Sequence, residues 1–297
     1  MMVYSSLMNN ENIVVKAQLG GMQVMEYVKD MSVTPASSKM EYYCAKMNIN
    51  KRQVLLNLNG NGYTVQSGAM QWMTGNVQMT SGVKGVGGFL GGMVKGAVTG
   101  ESAVKPEYTG YGQMMLEPTY RHIILTDIAE WGGSVVLDDG LFLACDNTVQ
   151  NKVTARSNVS SAVLGGEGLF NTMLTGQGVA ALECVVPREE LIEINLQDDQ
   201  MKIDGNMAVA WSGSLEFTVE KSGKSLLGSA VSGEGLVNVY RGTGKIWMCP
   251  VVPKWAGSLG ETNPVENTST AQTGAPAAKN DAVSKIETVS KVLDLFS

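Results

Sequence analysis

The chain has 297 residues, 22 Lys and Arg against 28 Asp and Glu, and a net charge of −6. Glycine is abundant at 35 residues, and charged residues make up only 17% where ~25% is usual; this excludes a solvated, disordered chain and describes a turn-rich, core-forming one. The acidic balance, without any run of Lys and Arg, argues against phosphate neutralisation, so no nucleic acid is expected as a partner.

The first residues, MMVYSSLMNNENIVV, lack the basic and apolar regions of a secretory signal. No arginine precedes Arg52, whereas Glu11, Glu26 and Asp30 do, unlike an Arg-rich, acid-poor transit peptide. No segment reaches the ~20 apolar residues of a membrane-spanning helix, so a cytoplasmic location is expected, with membrane association left open. Residues 1–40 read as an arm with strands at 13–18 and 22–28. From 41 to 253 short apolar runs alternate with glycine turns. NGNG (59–62) reads as a hairpin turn, because Asn and Gly tolerate positive φ. VAALECVV (179–186), LIEINL (191–196), LVNVY (236–240) and KIWM (245–248) read as strands from their β-branched and apolar content. LEFTVE (215–220) alternates apolar and polar residues, the pattern of a half-buried strand. No long 3.6-residue period occurs before the last residues, so the class is all-β.

Three markers recur in one order. SGAMQWM (67–73), DGLFLAC (139–145) and GNMAVAW (205–211) are spaced by 72 and 66 residues. TGESAV (99–104), GGEGLF (165–170) and SGEGLV (232–237) place Glu101, Glu167 and Glu234 at spacings of 66 and 67. Gly110, Gly176 and Gly242 follow at 66 and 66, each with a second glycine two residues on. Such order predicts internal repeats: three units of about 66 residues closing about a pseudo-threefold axis into one barrel or β-helix-like domain over 41–253.

The chemistry is sparse. Cys44, Cys145, Cys184 and Cys249 form no CxxC pair, and His122 is the single histidine. A zinc site is therefore not expected, and the four cysteines read as thiols in a reducing compartment. His122 has no nucleophile elbow beside it and reads as structural. Met70, Met73 and Met79, near Trp72, read as core filling. Glu101, Glu167 and Glu234 have two readings: caps on the N–H groups of their own turns, or carboxylates meeting on the axis around a cation. The loop 82–100 is apolar apart from Lys84 and Lys95, and also carries Phe89, Leu90 and Met93. It reads either as a membrane- or partner-touching loop or as a segment packed on its own domain with glycines at close approaches. Neither it nor GTGK (242–245) fits a phosphate-binding motif.

Residues 254–280 are rich in Ser, Thr, Asn, Pro and Ala and read as a flexible linker. In 281–297, Val283, Ile286, Val289, Val292, Leu293 and Phe296 recur at three and four residues, predicting an amphipathic helix. So short a helix needs a surface, on its own domain or on a partner.

Several of these stretches resemble one known family. MQV (22–24), SGAM (67–70), GFLGGMVKGAVTGES (88–102), GGEGLF, SGEGLV and TGxG (109–112 and 175–178) are similar in order and spacing to the Aim twenty-four (altered inheritance of mitochondria) family. The resemblance implies a pseudo-threefold β domain whose fold is like that of the tryptophan RNA-binding attenuator protein, repeated within one chain. Mitochondrial members of that family support inner-membrane organisation; the family offers no catalytic residues to carry over. The missing transit-peptide pattern and the uncovered tail favour a bacterial member. The expected function is a non-enzymatic scaffold, without cofactor, that oligomerises and recruits protein partners through the arm, loop 82–100 and the last helix. The alternatives are a peripheral membrane-associated assembly factor using loop 82–100, and a small-ligand or carbohydrate-binding β protein.

Overall fold

β-branched and aromatic residues favour a pleated, half-buried surface, and the apolar runs of this chain pair as antiparallel strands. The computed structural model describes residues 6–7, 9–81, 105–155, 170–204, 207–221 and 236–251. The first strands are β1 (Ile13–Leu19), β2 (Met22–Tyr27), β3 (Arg52–Val65), β4 (Met70–Ser81) and β5 (Pro106–Leu116), with one helix, α1 (Ser38–Lys46), between β2 and β3. Then come β6 (His122–Asp127), β7 (Ser134–Leu137), β8 (Phe142–Asp146), β9 (Val149–Ala155), β10 (Phe170–Gly176) and β11 (Val179–Cys184). The last are β12 (Ile192–Asp204), β13 (Ala208–Ser212), β14 (Glu216–Lys221) and β15 (Leu236–Met248). One eight-stranded sheet runs β1-β2-β3-β8-β11-β6, with β5 paired to β3 and β4 paired to β5. A seven-stranded sheet runs β12-β15-β13-β7-β10-β9, with β14 on β15.

The registers recur at fixed offsets. Thr64 faces Glu107, Val136 faces Met173, and Lys202 faces Val239. Ser81 faces Pro106, Val153 faces Thr172, and Val219 faces Asn238. Met73 faces Met114, Cys145 faces Ala180, and Trp211 faces Ile246. The first-named positions lie 72 and then 66 residues apart, and their partners 66 and 66, the same intervals as the sequence markers. Neighbouring blocks are joined twice: β3 to β8 with Thr64 opposite Cys145, and β7 to β13 with Val136 opposite Trp211. Among the described residues the pairing stops there. β4 pairs only with β5 and β12 only with β15, so no third junction closes a ring.

Two turn readings are corrected. NGNG (59–62) lies inside the single strand β3, with Asn59 opposite Tyr111 and Gly62 opposite Thr109. Two residues thus oppose one, which makes it a bulge; Gly60 has φ +88, and the positive φ that suits a hairpin suits a bulge equally. Leu196 and Asp199 of β12 flank the matching bulge opposite Gly244 and Gly242. Likewise RGTG (241–244) does not separate two strands but bends one, β15. Gly110 with Gly112 and Gly242 with Gly244 therefore lie inside single long strands, β5 and β15, whereas Gly176 and Gly178 stand where the chain leaves β10 in one sheet for β11 in the other. At Gly110, φ is +130 and an added Cβ would lie 2.1 Å from the Asn76 carbonyl oxygen.

Buried side chains form the core on both sheets. One cluster holds Trp131, Phe142, Leu182 and Trp247; a second holds Met22, Leu56, Tyr63 and Met114; a third holds Val136, Trp211, Tyr240 and Ile246. Burying each such aliphatic side chain contributes about 1.5–3 kcal/mol. The methionines divide differently from the core-filling expectation: Met70 packs on the second cluster, whereas Met73 and Met79 are exposed on β4.

Candidate functional site

The helix α1, absent from the sequence reading, builds one wall of a cleft. Its start is set by Thr34 and Ser37: the Ser37 N–H donates to Thr34 Oγ1 (3.2 Å), and the Ser38 N–H donates to the Thr34 carbonyl (2.8 Å). Its end is set by Asn48, at φ +62, after which the Ile49 N–H donates back to the Cys44 carbonyl at 2.9 Å. Asn is one of the few residues that tolerates this left-handed geometry.

Arg52 holds that end down. It is 2% exposed. Its Nη2 donates to the Asn48 carbonyl (2.9 Å) and Oδ1 (3.0 Å), and its Nη1 to the carbonyls of Asn50 (3.1 Å) and Arg121 (3.4 Å). Its Nε donates to Glu26 Oε2 at 2.8 Å. Glu26, on β2, is itself buried, and Lys16 approaches its other oxygen at 3.7 Å. A buried ion pair is tolerated only when its remaining donors find acceptors, and here they do.

Above this clamp lies a cleft of about 390 Å³, walled by Tyr27, Val33, Tyr42, Ile49 and Tyr120. Lys29, Asp30, Glu41, Lys46 and Lys51 supply its charges. Asp30 accepts from Lys51, and this bond, with help from Ser32, holds the carboxyl down at about 2. Lys51 also lies 5.8 Å from the centre of the Tyr120 ring, and its own pKa is raised by Asp30. The Tyr120 hydroxyl makes a long contact, 3.5 Å, to Glu41 Oε1, and burial raises its pKa. Lys46 sits over Tyr42 at 5.4 Å. With Lys51 and Asp30 paired, Lys29 and Lys46 outweigh Glu41. The cleft therefore has an aromatic interior and a slightly basic rim. α1 buries none of its residues, and Met40, Tyr42, Tyr43 and, just beyond it, Met47 are all more than half exposed.

His122 starts β6 opposite Cys184. Burial, and then the Arg52 charge, lower its pKa to about 4, so it is neutral at neutral pH. The sequence-derived candidates Glu101, Glu167 and Glu234 lie outside the described residues, as do Lys84, Phe89, Leu90, Met93 and Lys95, and Val283, Ile286, Val289, Val292, Leu293 and Phe296. Among the described residues no three His, Cys, Asp or Glu side chains are grouped to hold a metal, and no helix is long and apolar enough to cross a membrane.

The Mitochondrial biogenesis AIM24 family model matches residues 46–251. The chain belongs to that family. A similar AIM24-family relative is an uncharacterized protein of Streptococcus pyogenes serotype M6, 31% identical over 210 residues, which are 68% of this chain and 82% of that one. A crystal structure of a Streptococcus pyogenes protein is similar with a TM-score of 0.53 and 26% identity, covering 80% of this chain and 98% of the other. The AIM24 match begins within α1, so the strands β1 and β2 and most of the cleft's outer wall precede it. The bacterial relatives make a bacterial member of the family plausible.

The cleft was not legible in the sequence. Its tyrosines come from β2, α1 and the turn before β6, and only the fold brings them together. One local signal existed: Ser37, just before SKMEYY (38–43), stands at the N-cap position that serine favours.

Proposed function

We propose that the chain is a non-enzymatic scaffold that self-associates and recruits protein partners, and that the α1 cleft is the recruiting surface. The observation that carries this reading is the composition of α1: a helix that buries nothing of its own and presents Met40, Tyr42 and Tyr43 beside a tyrosine-lined cleft. Exposed aromatic and methionine side chains supply contact area at interfaces. The cleft's acids and bases are engaged with each other, Asp30 with Lys51 and Glu41 with Tyr120, which favours binding over proton transfer. The occupant that fits is an extended segment of a partner protein, placing an aromatic or apolar side chain among Tyr27, Tyr42 and Tyr120 and a carboxylate near Lys29 and Lys46.

A displayed-peptide selection against the full chain tests this. Selected peptides are expected to combine an acidic residue with an aromatic one, and to lose at least tenfold in affinity to Tyr42→Ser. Selection without that chemistry, or binding indifferent to Tyr42→Ser and Lys46→Glu, overturns the reading.

A further inference from the structure

Two of the open strand edges, those of β4 and β12, are complementary. The junction between blocks is made twice with one register: Tyr63, Thr64 and Val65 oppose Asp146, Cys145 and Ala144, and Val135, Val136 and Leu137 oppose Ser212, Trp211 and Ala210. The second set lies 72 residues on from the first along one strand and 66 along the other. Along one strand the next interval, 66, leads to β12; along the other the series 73, 145, 211 has reached its last block, and cycling back to the first leads to β4. This puts Met201 opposite Thr74 and Lys202 opposite Met73. Both strands have an outer edge that pairs with nothing among the described residues, as do β1, β6, β9 and β14, but only β4 and β12 stand at the positions this series reaches.

β4 also lacks the usual protection of an edge. Natural edges are blunted by charge, proline or short length. β4 runs for 12 residues, MQWMTGNVQMTS, without a charge or a proline, and Met73 and Met79 are exposed on it at 43% and 55%. On β12 the matching segment carries Lys202, half exposed, between Met201 and the buried Ile203.

We propose that β4 of one copy pairs antiparallel with β12 of a second copy, remaking between chains the junction that each chain makes twice within itself. The partner is another copy of this chain, and the contact is heterologous, because two different edges meet. Such contacts build rings when the rotation closes and open chains when it does not. The proposal deepens the self-association half of the scaffold reading and rests on it.

The test uses the full chain with Cys44→Ser, which removes the half-exposed thiol. Thr74→Cys and Met201→Cys are made singly in that background, mixed, and treated with a short bismaleimide. The expected product is a crosslink joining a Thr74→Cys chain to a Met201→Cys chain, with little product from either variant alone. A crosslink within one chain of the doubly substituted variant at high dilution overturns the proposal, since the edges then close on each other in the same molecule. Absence of any such crosslink overturns it too. Light scattering separates the two levels: multimers without the crosslink sink the edge pairing and spare the scaffold reading, whereas a monomer at all concentrations sinks both. Met73→Lys, set against Lys202, is expected to weaken self-association about fivefold, while Met73→Glu does not weaken it. Equal effects of the two signs also count against the register.

Discussion

Replacing Arg52 with leucine tests the clamp beneath the cleft. The guanidinium makes five hydrogen bonds, to Glu26, to the Asn48 carbonyl and side chain, and to the carbonyls of Asn50 and Arg121. Arg52→Leu strips Glu26 of its buried partner and leaves only Lys16, at 3.7 Å and 52% exposed. Removing one member of a buried pair costs about 3–5 kcal/mol. Carbonyls that lose a buried donor add to this at about 1 kcal/mol or more each, so the upper end of the range is expected. Glu26→Leu with Arg52→Leu removes the orphaned carboxylate but not the orphaned carbonyls. The double variant should therefore recover about 2 kcal/mol of the loss. Urea unfolding followed by tryptophan fluorescence reads this directly, since Trp131, Trp211 and Trp247 are all buried; the midpoint should move with the slope unchanged. A single-variant loss below about 1 kcal/mol, or a double variant no more stable than the single, refutes the account of Glu26 and Arg52 as a desolvated pair.

Three further outcomes are expected. His122 should titrate near 4 by NMR; because its folded pKa lies below the unfolded value of ~6.5, the stability it contributes is complete above that value and is lost as pH falls through about 4. His122→Asn should flatten stability across that window, and an unshifted titration midpoint contradicts the burial argument. Gly110→Ala should destabilise the chain by about 2 kcal/mol or more, because it adds a clash with the Asn76 carbonyl to a φ that L-residues avoid; a melting temperature within error of the parent contradicts that clash. Iodoacetamide should label Cys44 in the native chain and leave Cys145, Cys184 and Cys249 for the unfolded one: burial pushes the Cys145 thiol up to about 12, and although the hydrogen bond with Cys249 lowers the Cys184 pKa and raises that of Cys249, both are 1% exposed and closed to the reagent. Mass spectrometry showing Cys145 labelled as fast as Cys44 contradicts this.

Strand content was readable because the same residues that favour β structure also alternate or run apolar, as in LEFTVE and VAALECVV. The marker spacing carried further: 72 and 66 reappear in the registers of three sets of strands. Asn-Gly was ambiguous at NGNG, where one local preference serves both a turn and a bulge, and only the partner strand decides between them. α1 escaped notice because a helix that buries nothing has no apolar stripe to reveal it. Nothing local marks Glu26 and Arg52, 26 residues apart, as a buried pair; only the pairing of β2 with β3 brings them together. The tyrosines of the cleft come from segments far apart in the chain, beyond what any local pattern encodes.

The division of the middle block has a consequence for how the chain matures. β6, β8 and β11 belong to the first sheet, while β7, β9 and β10, interspersed among them in the sequence, belong to the second. Neither sheet is a continuous stretch of polypeptide. As the chain leaves the ribosome, the first sheet stays unfinished until residue 184 has emerged, and by then β7, β9 and β10 are already exposed and awaiting β13. A nascent chain halted between β11 and β12 would therefore carry every strand of one sheet and only three of the seven of the other.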